Sequence, residues 1–436
     1  MTHAISQTVT LGSLCLEEPC YGTSASAIER TNESQPKYIR ITDFSDFGIP
    51  NNHKYVTAES YSDKHMLAPN DILFARTGAT VGKTYFYDGE IGAAVFAGYC
   101  IRFRIDPEKA LPKYVYWYTK TNTFAQWING IQRPAGQPNI NKEEYKSFNL
   151  ILPSKEQQAH LISLMNRAIA ERNQKLLEAN RLLAGPSQLV LEMLGISFSS
   201  PPRRLTYAVP RASISGRFDA DYYSPKFSKF REQIEHTPYP AVSIGEISDK
   251  IMAGFAAGKQ DQADTLPDDK RVPHLRPFSI TPEGELSFET MKYVPKTRLK
   301  DEDYCRKNEV LFNNTNSPDL VGKTTVFDSD VLCATSNHMT RITVKDGVNP
   351  YYVAAFFNVL LSTGYWKLLC TNFNNQAGVN TETLKNVRIP LPPKEIQDDI
   401  ATAIMLRRVK ANALRKEAEQ EWLKAKEQFE QELLGL

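Results

Sequence analysis

The residues that first suggest chemistry are two Gly-Lys-Thr triplets, Gly82–Thr84 and Gly322–Thr324. A phosphate-cradling loop needs four residues between its first glycine and the Gly-Lys pair, and a helix after it whose N-terminus faces the phosphates. Here only three residues separate Gly78 from Gly82, and Thr-Tyr-Phe-Tyr-Asp-Gly follows, which reads as strand and turn. The second triplet has no upstream glycine at the required position. The pattern therefore predicts a tight hairpin loop, with glycine where φ is positive. No nucleotide-hydrolysing site is expected.

Other chemistries fare no better. Asn349-Pro350-Tyr351-Tyr352 approaches the Asn-Pro-Pro-Tyr box of adenine methyltransferases, but it lacks the second proline and no glycine-rich cofactor loop precedes it. A helix start with proline at its first position accounts for it. The six cysteines form no C-x-x-C pair, and the seven histidines form no H-E-x-x-H. That spacing predicts no structural zinc. No carboxylate–lysine cluster suggests a Mg²⁺-dependent nuclease, and no nucleophile–histidine arrangement stands out. The chain reads as non-catalytic, with no cofactor or metal of its own.

Two polar loops are of a different kind. Gln132, Arg133, Gln137, Asn139 and Asn141 crowd one; Asn372, Asn374, Asn375, Gln376 and Asn380 crowd another. Arginine reads guanine, and asparagine or glutamine reads adenine, bidentately in the major groove. Asparagine and glycine also simply make turns.

The elements that must position these residues come twice. Asn70–Phe74 (NDILF) returns as Asn308–Phe312 (NEVLF), Val81–Thr84 as Val321–Thr324, and Tyr114–Val115 as Tyr352–Val353. Gln137–Asn141 returns as Gln376–Asn380, Leu152–Glu156 (LPSKE) as Leu391–Glu395 (LPPKE), and Glu192–Gly195 as Glu432–Gly435. Order is preserved and the offset stays within 238–240 residues. That is a tandem duplication of a whole domain, since solenoid repeats have periods of about 20–50 residues. Within the first copy, Asp71–Ala75, Thr84–Tyr87 and Ile101–Ile105 carry strand signals, and Leu111–Asn129 reads as an aromatic-rich helix.

Each copy ends in a long helical pattern. Ile162, Met165, Ile169, Leu176, Ala179 and Leu183 form one apolar seam, which Arg172 interrupts. Ile400, Ile404, Ala411, Leu414, Ala418, Trp422, Ala425 and Phe429 form the other. Spacings of three, four and seven are close to those of a coiled coil. Two matching seams in one chain can bury each other as antiparallel partners. Gly185-Pro186 predicts a break in the first helix, with Ser187–Leu194 a separate segment.

The expected class is α+β: two strand-rich domains, each followed by a long helix, with the helices packed as an antiparallel pair. The expected boundaries are 1–153, a first strand-rich domain; 154–196, a central helix; 197–240, a Ser/Pro-rich linker and lead-in; 241–393, a second strand-rich domain; and 394–436, a C-terminal helix. About 40 helical residues span roughly 60 Å, or about 17 base-pair steps.

Composition adds bounds. Hydrophobic residues make up 41% and charged residues 23%, as in ordinary folded domains, and net charge is only +2. Both domains are charge-balanced, so any contact with nucleic acid must be a local patch. No apolar run approaches the ~20 residues of a membrane span, and no secretory signal is visible, so a cytoplasmic location is expected.

NDILFARTGATVGK, the loop GQPNIN, LPSKEQQ with its copy LPPKEIQ, and RFDADYYSP together resemble the DNA-specificity subunits of Type I restriction–modification systems. The resemblance covers nearly the whole chain and its domain order. It implies two target-recognition domains reading the halves of a split double-stranded DNA sequence, held apart by two helices. It implies partners: two methyltransferase subunits, which carry S-adenosylmethionine and modify adenine, and restriction or translocase subunits that cut. The chain departs from the family at two points. The first half lacks the RFDADYY lead-in, and NNTNSPDLVGK replaces RTGATVGK in the second copy. Alternatives are a specificity protein of another methylation-linked defence system, or an enzyme fusing recognition with methylation.

Two half-sites differ, so base readers belong where the copies differ. Candidates in the first domain are Lys37, Arg40, His53, Lys54, Arg102 and Arg104, with Arg76, Thr77 and Lys83 on a loop edge and Arg133 in the polar loop. In the second they are Lys259, Gln260, Arg271, His274, Arg276, Asn313, Asn314, Asn337, His338 and Arg341, with Lys323 on the second triplet. The resemblance assigns the shared loops QPNIN and QAGVN to docking each domain on its helix.

Overall fold

The first strand-rich domain is built round an acid that the repeated motif supplies. Asn70 and Asn308 are the only non-glycine residues with positive φ among the described residues, at 78° and 67°. Asparagine tolerates this left-handed turn better than most side chains. The next residue, Asp71 or Glu309, turns its carboxylate back to accept the amide N–H of Ala68 (2.8 Å) or Arg306 (3.0 Å). The same carboxylates face a buried arginine on the neighbouring strand, Arg102 at 3.9 Å and Arg341 at 3.7 Å. One turn, one acid and one arginine thus start the central strand in both copies.

A computed structural model describes residues 7–50, 53–131, 138–198, 206–214, 218–373 and 376–435. It forms two compact units, Met1–Leu177 with Leu414–Leu436, and Glu178–Ala413. The first contains an antiparallel sheet in the order Cys20–Tyr21, Cys100–Arg104, Asp71–Ala75, Thr84–Tyr87. The second repeats it as Ser248–Ala253, Met339–Val344, Val310–Asn313, Thr324–Val326. Each copy adds a parallel pair, Lys37–Ile39 with Ala94–Phe96, and Arg271–Leu275 with Ala334–Thr335. In each an antiparallel pair joins start to end, Gln7–Thr10 with Asn149–Leu152, and Ala241–Ser243 with Arg388–Pro390. The duplication read from the sequence is a duplication of topology.

The Gly-Lys-Thr triplets lie in hairpin loops, as their flanking residues imply. Gly82 has φ 86° and Gly322 φ 99°. A Cβ on Gly322 would lie 2.1 Å from the Trp366 ring. Asn349 caps the helix Pro350–Ser362 through its Oδ1, which accepts the Tyr351 and Tyr352 N–H groups.

One expected helix is two. Leu111–Asn129 splits into Pro112–Tyr118 and Asn122–Ile131. The Thr119 and Thr121 hydroxyls donate to the Tyr116 and Tyr118 carbonyls, each at 2.7 Å. Such local bonds compete with helix propagation.

The first long helix runs Lys155–Ala184, stops at Gly185 and resumes as Pro186–Met193. The C-terminal helix runs unbroken over Lys394–Leu434. Each begins with a buried glutamine that clamps it to its own domain. Gln158 accepts the Leu111 N–H and donates to the Pro153 carbonyl, both at 2.8 Å. Gln397 accepts the Asn349 N–H and donates to the Pro392 carbonyl, again at 2.8 Å. Beside each clamp a tyrosine hydroxyl, Tyr114 or Tyr352, donates to a strand carbonyl, Ile151 or Pro390.

The helices run antiparallel within each unit. In the first, His160 meets Glu432 at 2.9 Å while Lys175 meets Glu421 at 2.6 Å. In the second, Lys410 meets Glu178 at 2.8 Å. Exposed ion pairs contribute little, so apolar packing holds the pair. Ala179, Ala411 and Ala418 are fully buried, which lets backbones approach. Met165 is buried, and Ile162 and Ile169 pack against the same core. Leu176, Leu183 and Leu414 are half-buried. Leu161, absent from the seam as read, is fully buried.

Several seam residues serve the domains as well. Trp422 lies 5.9 Å from Trp117, and Phe429 stacks on Tyr114 at 6.0 Å. Ile400 and Ile404 belong to the second domain's core, with Phe356 and Trp366. Arg172, the apparent flaw, lays its guanidinium 3.3 Å from the Phe47 ring centroid, a cation–π contact.

Two outcomes follow from these buried polar groups. Gln158→Ala leaves an N–H and a carbonyl unsatisfied and lowers the first domain's stability by roughly 2–4 kcal/mol in urea titration; Gln174→Ala, at an exposed position of the same helix, changes it by less than about 0.5 kcal/mol. Burial, assisted by the Arg276 charge, lowers His274 from 6.5 to about 4. The unfolded chain therefore takes up this proton first as pH falls. The His274 contribution is complete above pH 6.5 and is lost between there and pH 4. The stability gap between wild type and His274→Leu should shift by about 2 kcal/mol between pH 7 and 4.5. Parallel pH–stability curves for the two proteins would rule this out.

Candidate nucleic-acid interface

One rim of each central sheet has the same backbone and different side chains. In the first domain the Arg76 N–H donates to the Tyr99 carbonyl (3.0 Å), and the Arg76 carbonyl accepts the Ile140 N–H (2.9 Å). In the second the Asn314 N–H donates to the His338 carbonyl (3.0 Å), and the Asn314 carbonyl accepts the Val379 N–H (2.9 Å). Thr77 bridges Asn139; Thr315 pairs with Gly378. The matched side chains are Arg76 and Asn314, Gly98 and Asn337, Tyr99 and His338, and Asn139 and Gly378.

In the first rim the Arg76 guanidinium lies 4.7 Å from the Tyr21 ring centroid, and its Nε donates to Asn139 Oδ1 at 3.4 Å. Among the described residues, its two terminal nitrogens have no hydrogen-bond partner. The Tyr99 side chain is prominent, at 62% exposure. A cavity of about 400 Å³ opens beside them, walled by Thr23, Ser24 and Tyr38. An arginine fork, a phenol and an amide at one open rim suit hydrogen bonding to base edges. In the second rim Asn314 is committed internally: its Nδ2 donates to the Asn337 carbonyl (3.1 Å) and Thr340 Oγ1 (2.9 Å). Asn337 is exposed and His338 half-buried.

The shared loops have a local role. Asn141 caps the helix Lys142–Lys146, and Asn380 caps Thr381–Lys385. The Ile140 and Val379 amides fasten both loops to the domain's own rim, not to the long helices. Gln132, Arg133, Gln137, Asn374 and Asn375 lie outside the described residues.

Many of the other candidates are structural, because their donors are consumed inside the domain. Arg102 is buried, donating to the Lys64 and Met66 carbonyls and to Glu17. Arg104 makes a two-bond pair with Asp71 at 2.8 and 2.9 Å. Arg341 is buried on the Asp303 and Glu302 carbonyls. Asn313 is buried, with its Nδ2 on the Leu320 carbonyl, and Lys323 donates to the Ile280 carbonyl at 2.6 Å. His274 is buried, its Nε2 3.3 Å from the Phe255 carbonyl. In these six the polar side chain is turned into its own domain, which sets them apart from the rim residues. A signal for two of them was present: Arg102 and Arg341 are repeat partners, 239 residues apart, and what both copies share does not distinguish two targets.

The remainder are spread over the surface. Arg40 pairs with Asp43, with His53 3.5 Å from the same carboxylate, and Arg271 pairs with Asp268. Lys37 donates to the Ile91 carbonyl. Lys54, Lys259 and Gln260 are exposed and Arg276 is half-buried. Lys83 lines a separate cavity. The rim residue that sequence reasoning missed is Tyr99; its alignment with His338 was the available clue.

Comparison with known proteins agrees with this architecture. The family model for the Type I restriction modification DNA specificity domain matches residues 6–179 and 239–421. A type I restriction enzyme specificity subunit, MjaX, of Methanocaldococcus jannaschii is 28% identical over 109 residues, covering 24% of this chain and 26% of that one. The StySPI specificity subunit of Salmonella potsdam is 23% identical over 194 residues, covering 43% and 41%. The matched stretches thus span less than half the length of either relative. A solved structure from work on complex assembly and conformational transition of the type I R-M system superposes with a TM-score of 0.57. Its identity is 15%, covering 98% of this chain and 96% of that one, a likeness of fold. No helix among the described residues is long and apolar enough to cross a membrane. With both copies of its repeat matched, the chain belongs to the Type I restriction–modification DNA-specificity family.

Proposed function

We propose that this chain is the DNA-specificity subunit of a Type I-like restriction–modification system. It reads a bipartite double-stranded target, one half-site per domain, and directs a partner adenine methyltransferase and a restriction subunit to it. The observation that carries this reading is the pair of rims: one backbone, two sets of hydrogen-bonding side chains. A duplicated scaffold that kept its turn asparagine, its buried acid–arginine pair and its helix clamp, and changed the side chains of its rim, is what reading two different half-sites requires. The chain supplies no catalytic group. S-adenosylmethionine belongs to the methyltransferase, of which two copies are expected, and the assembly works in the cytoplasm.

Arg76 is the strongest base reader in the first domain, because its terminal donors have no hydrogen-bond partner among the described residues and its stem is fixed by Tyr21 and Asn139. Asn337 and His338 take that part in the second. Phosphate contacts from surface lysines such as Lys54 and Lys259 add affinity without sequence information.

The test is methylation of a randomised target library by the chain reconstituted with its methyltransferase. Arg76→Ala should relax one position of the first half-site, at about 1–3 kcal/mol of lost discrimination, and leave the second unchanged. Asn337→Ala should do the reverse. Methyl transfer by the chain alone would overturn the reading. So would relaxation of both half-sites by either substitution.

A further inference from the structure

The first unit holds a second cavity of about 400 Å³ that shares no lining residue with the rim. Three lysines line it: Lys83 after the hairpin glycine, Lys120 at the break between the two short helices, and Lys426 on the C-terminal helix. Lys120 is buried, at 7% exposure. Its Nζ donates to the Thr84 carbonyl at 2.9 Å, lies 4.8 Å from the Tyr116 ring centroid and has Asp46 3.9 Å away. The other carboxylate on the wall, Glu419, faces Arg172 at 4.0 Å. Lys83 and Lys426 have no ion-pair partner among the described residues. Burial lowers the Lys120 ammonium to about 8; Asp46 opposes this, and the charges of Lys426 and Lys83 add to it. It remains protonated at neutral pH.

The duplication provides an internal control. In the second domain the Thr324 carbonyl, partner of Thr84, accepts from the neutral Nδ2 of Asn358 at 2.8 Å. Asn358 occupies the repeat position of Lys120, and Ser187 that of Lys426. The Ser187 hydroxyl donates to the Asn358 carbonyl at 3.4 Å, and Lys323, partner of Lys83, is committed to Ile280. This corner of the fold therefore needs one neutral donor. The first domain places three ammonium groups there against two wall carboxylates, Asp46 and Glu419, which leaves the cavity with a net positive charge.

We propose that the Lys83–Lys120–Lys426 cavity binds a small, multiply charged oxyanion of the phosphate class. Lysine is a regular point-charge partner of phosphate, and the volume lies within the range of small-ligand sites. The phosphate has two conceivable sources, a free compound or a backbone phosphate of duplex DNA, and the cavity dimensions favour the first.

The test is calorimetric titration of the full chain with inorganic pyrophosphate at pH 7, with Lys120→Asn and Lys426→Ser, which copy the second domain. Wild type should give saturable one-site binding, and each variant should weaken it about tenfold or more, with unliganded melting temperatures no lower than that of wild type. If either variant misfolds, Lys83→Gln, at a half-buried position, replaces it. A second arm measures non-specific duplex binding, which should be equal in wild type and variants. No saturable heat with wild type, undiminished binding in the variants, or loss of duplex binding without pyrophosphate binding would each overturn the proposal.

Discussion

A buried glutamine at the first turn of each long helix is the contact on which the architecture rests. Gln158 and Gln397 each satisfy one amide and one carbonyl of the domain before them, out of reach of water. Left unmade, each such bond costs far more than it contributes when formed. The clamp therefore fixes where the helix leaves its domain. Beside it the Tyr114 and Tyr352 hydroxyls fasten the aromatic helix to the exit strand. The repeated LPSKEQQ and LPPKEIQ motifs are the sequence record of this joint.

Around that joint the two domains have kept what folding requires. The left-handed asparagine, the acid after it and the arginine across the sheet recur with the same partners. Removing one member of a buried charge pair is costly because the other is stranded, so such groups resist change. Rim positions lie outside that charge pair. There the backbone bonds are the same and the side chains differ, Arg76 against Asn314 and Tyr99 against His338. The cavity of three lysines is another departure, with neutral Asn358 and Ser187 at two of its three repeat positions.

The repeat made most of the architecture legible. Offsets of 238–240 residues predicted two equivalent domains and paired helices, and Gly185-Pro186 predicted the break that the first helix shows. The candidate site was less legible, because exposure of an arginine depends on partners distant in sequence. Arg102 and Arg104 read as candidates for base contact, but Asp71 on the neighbouring strand and Glu17 in a bend engage them. The split of the aromatic helix was hidden for a local reason, two threonine hydroxyls bonding back to their own turn. Tyr99 was passed over because a lone exposed tyrosine has no distinguishing pattern until its backbone is seen to match that of His338.

The central claim is that one scaffold carries two readers distinguished by their rims. The most direct measurement transplants the second rim onto the first, as Arg76→Asn, Gly98→Asn, Tyr99→His and Asn139→Gly together, and maps the methylated sites with the partner methyltransferase present. The account predicts that the first half-site moves towards the base preference of the second, while the second half-site stays as it was. Methylation of the original bipartite target with both halves unchanged would contradict it.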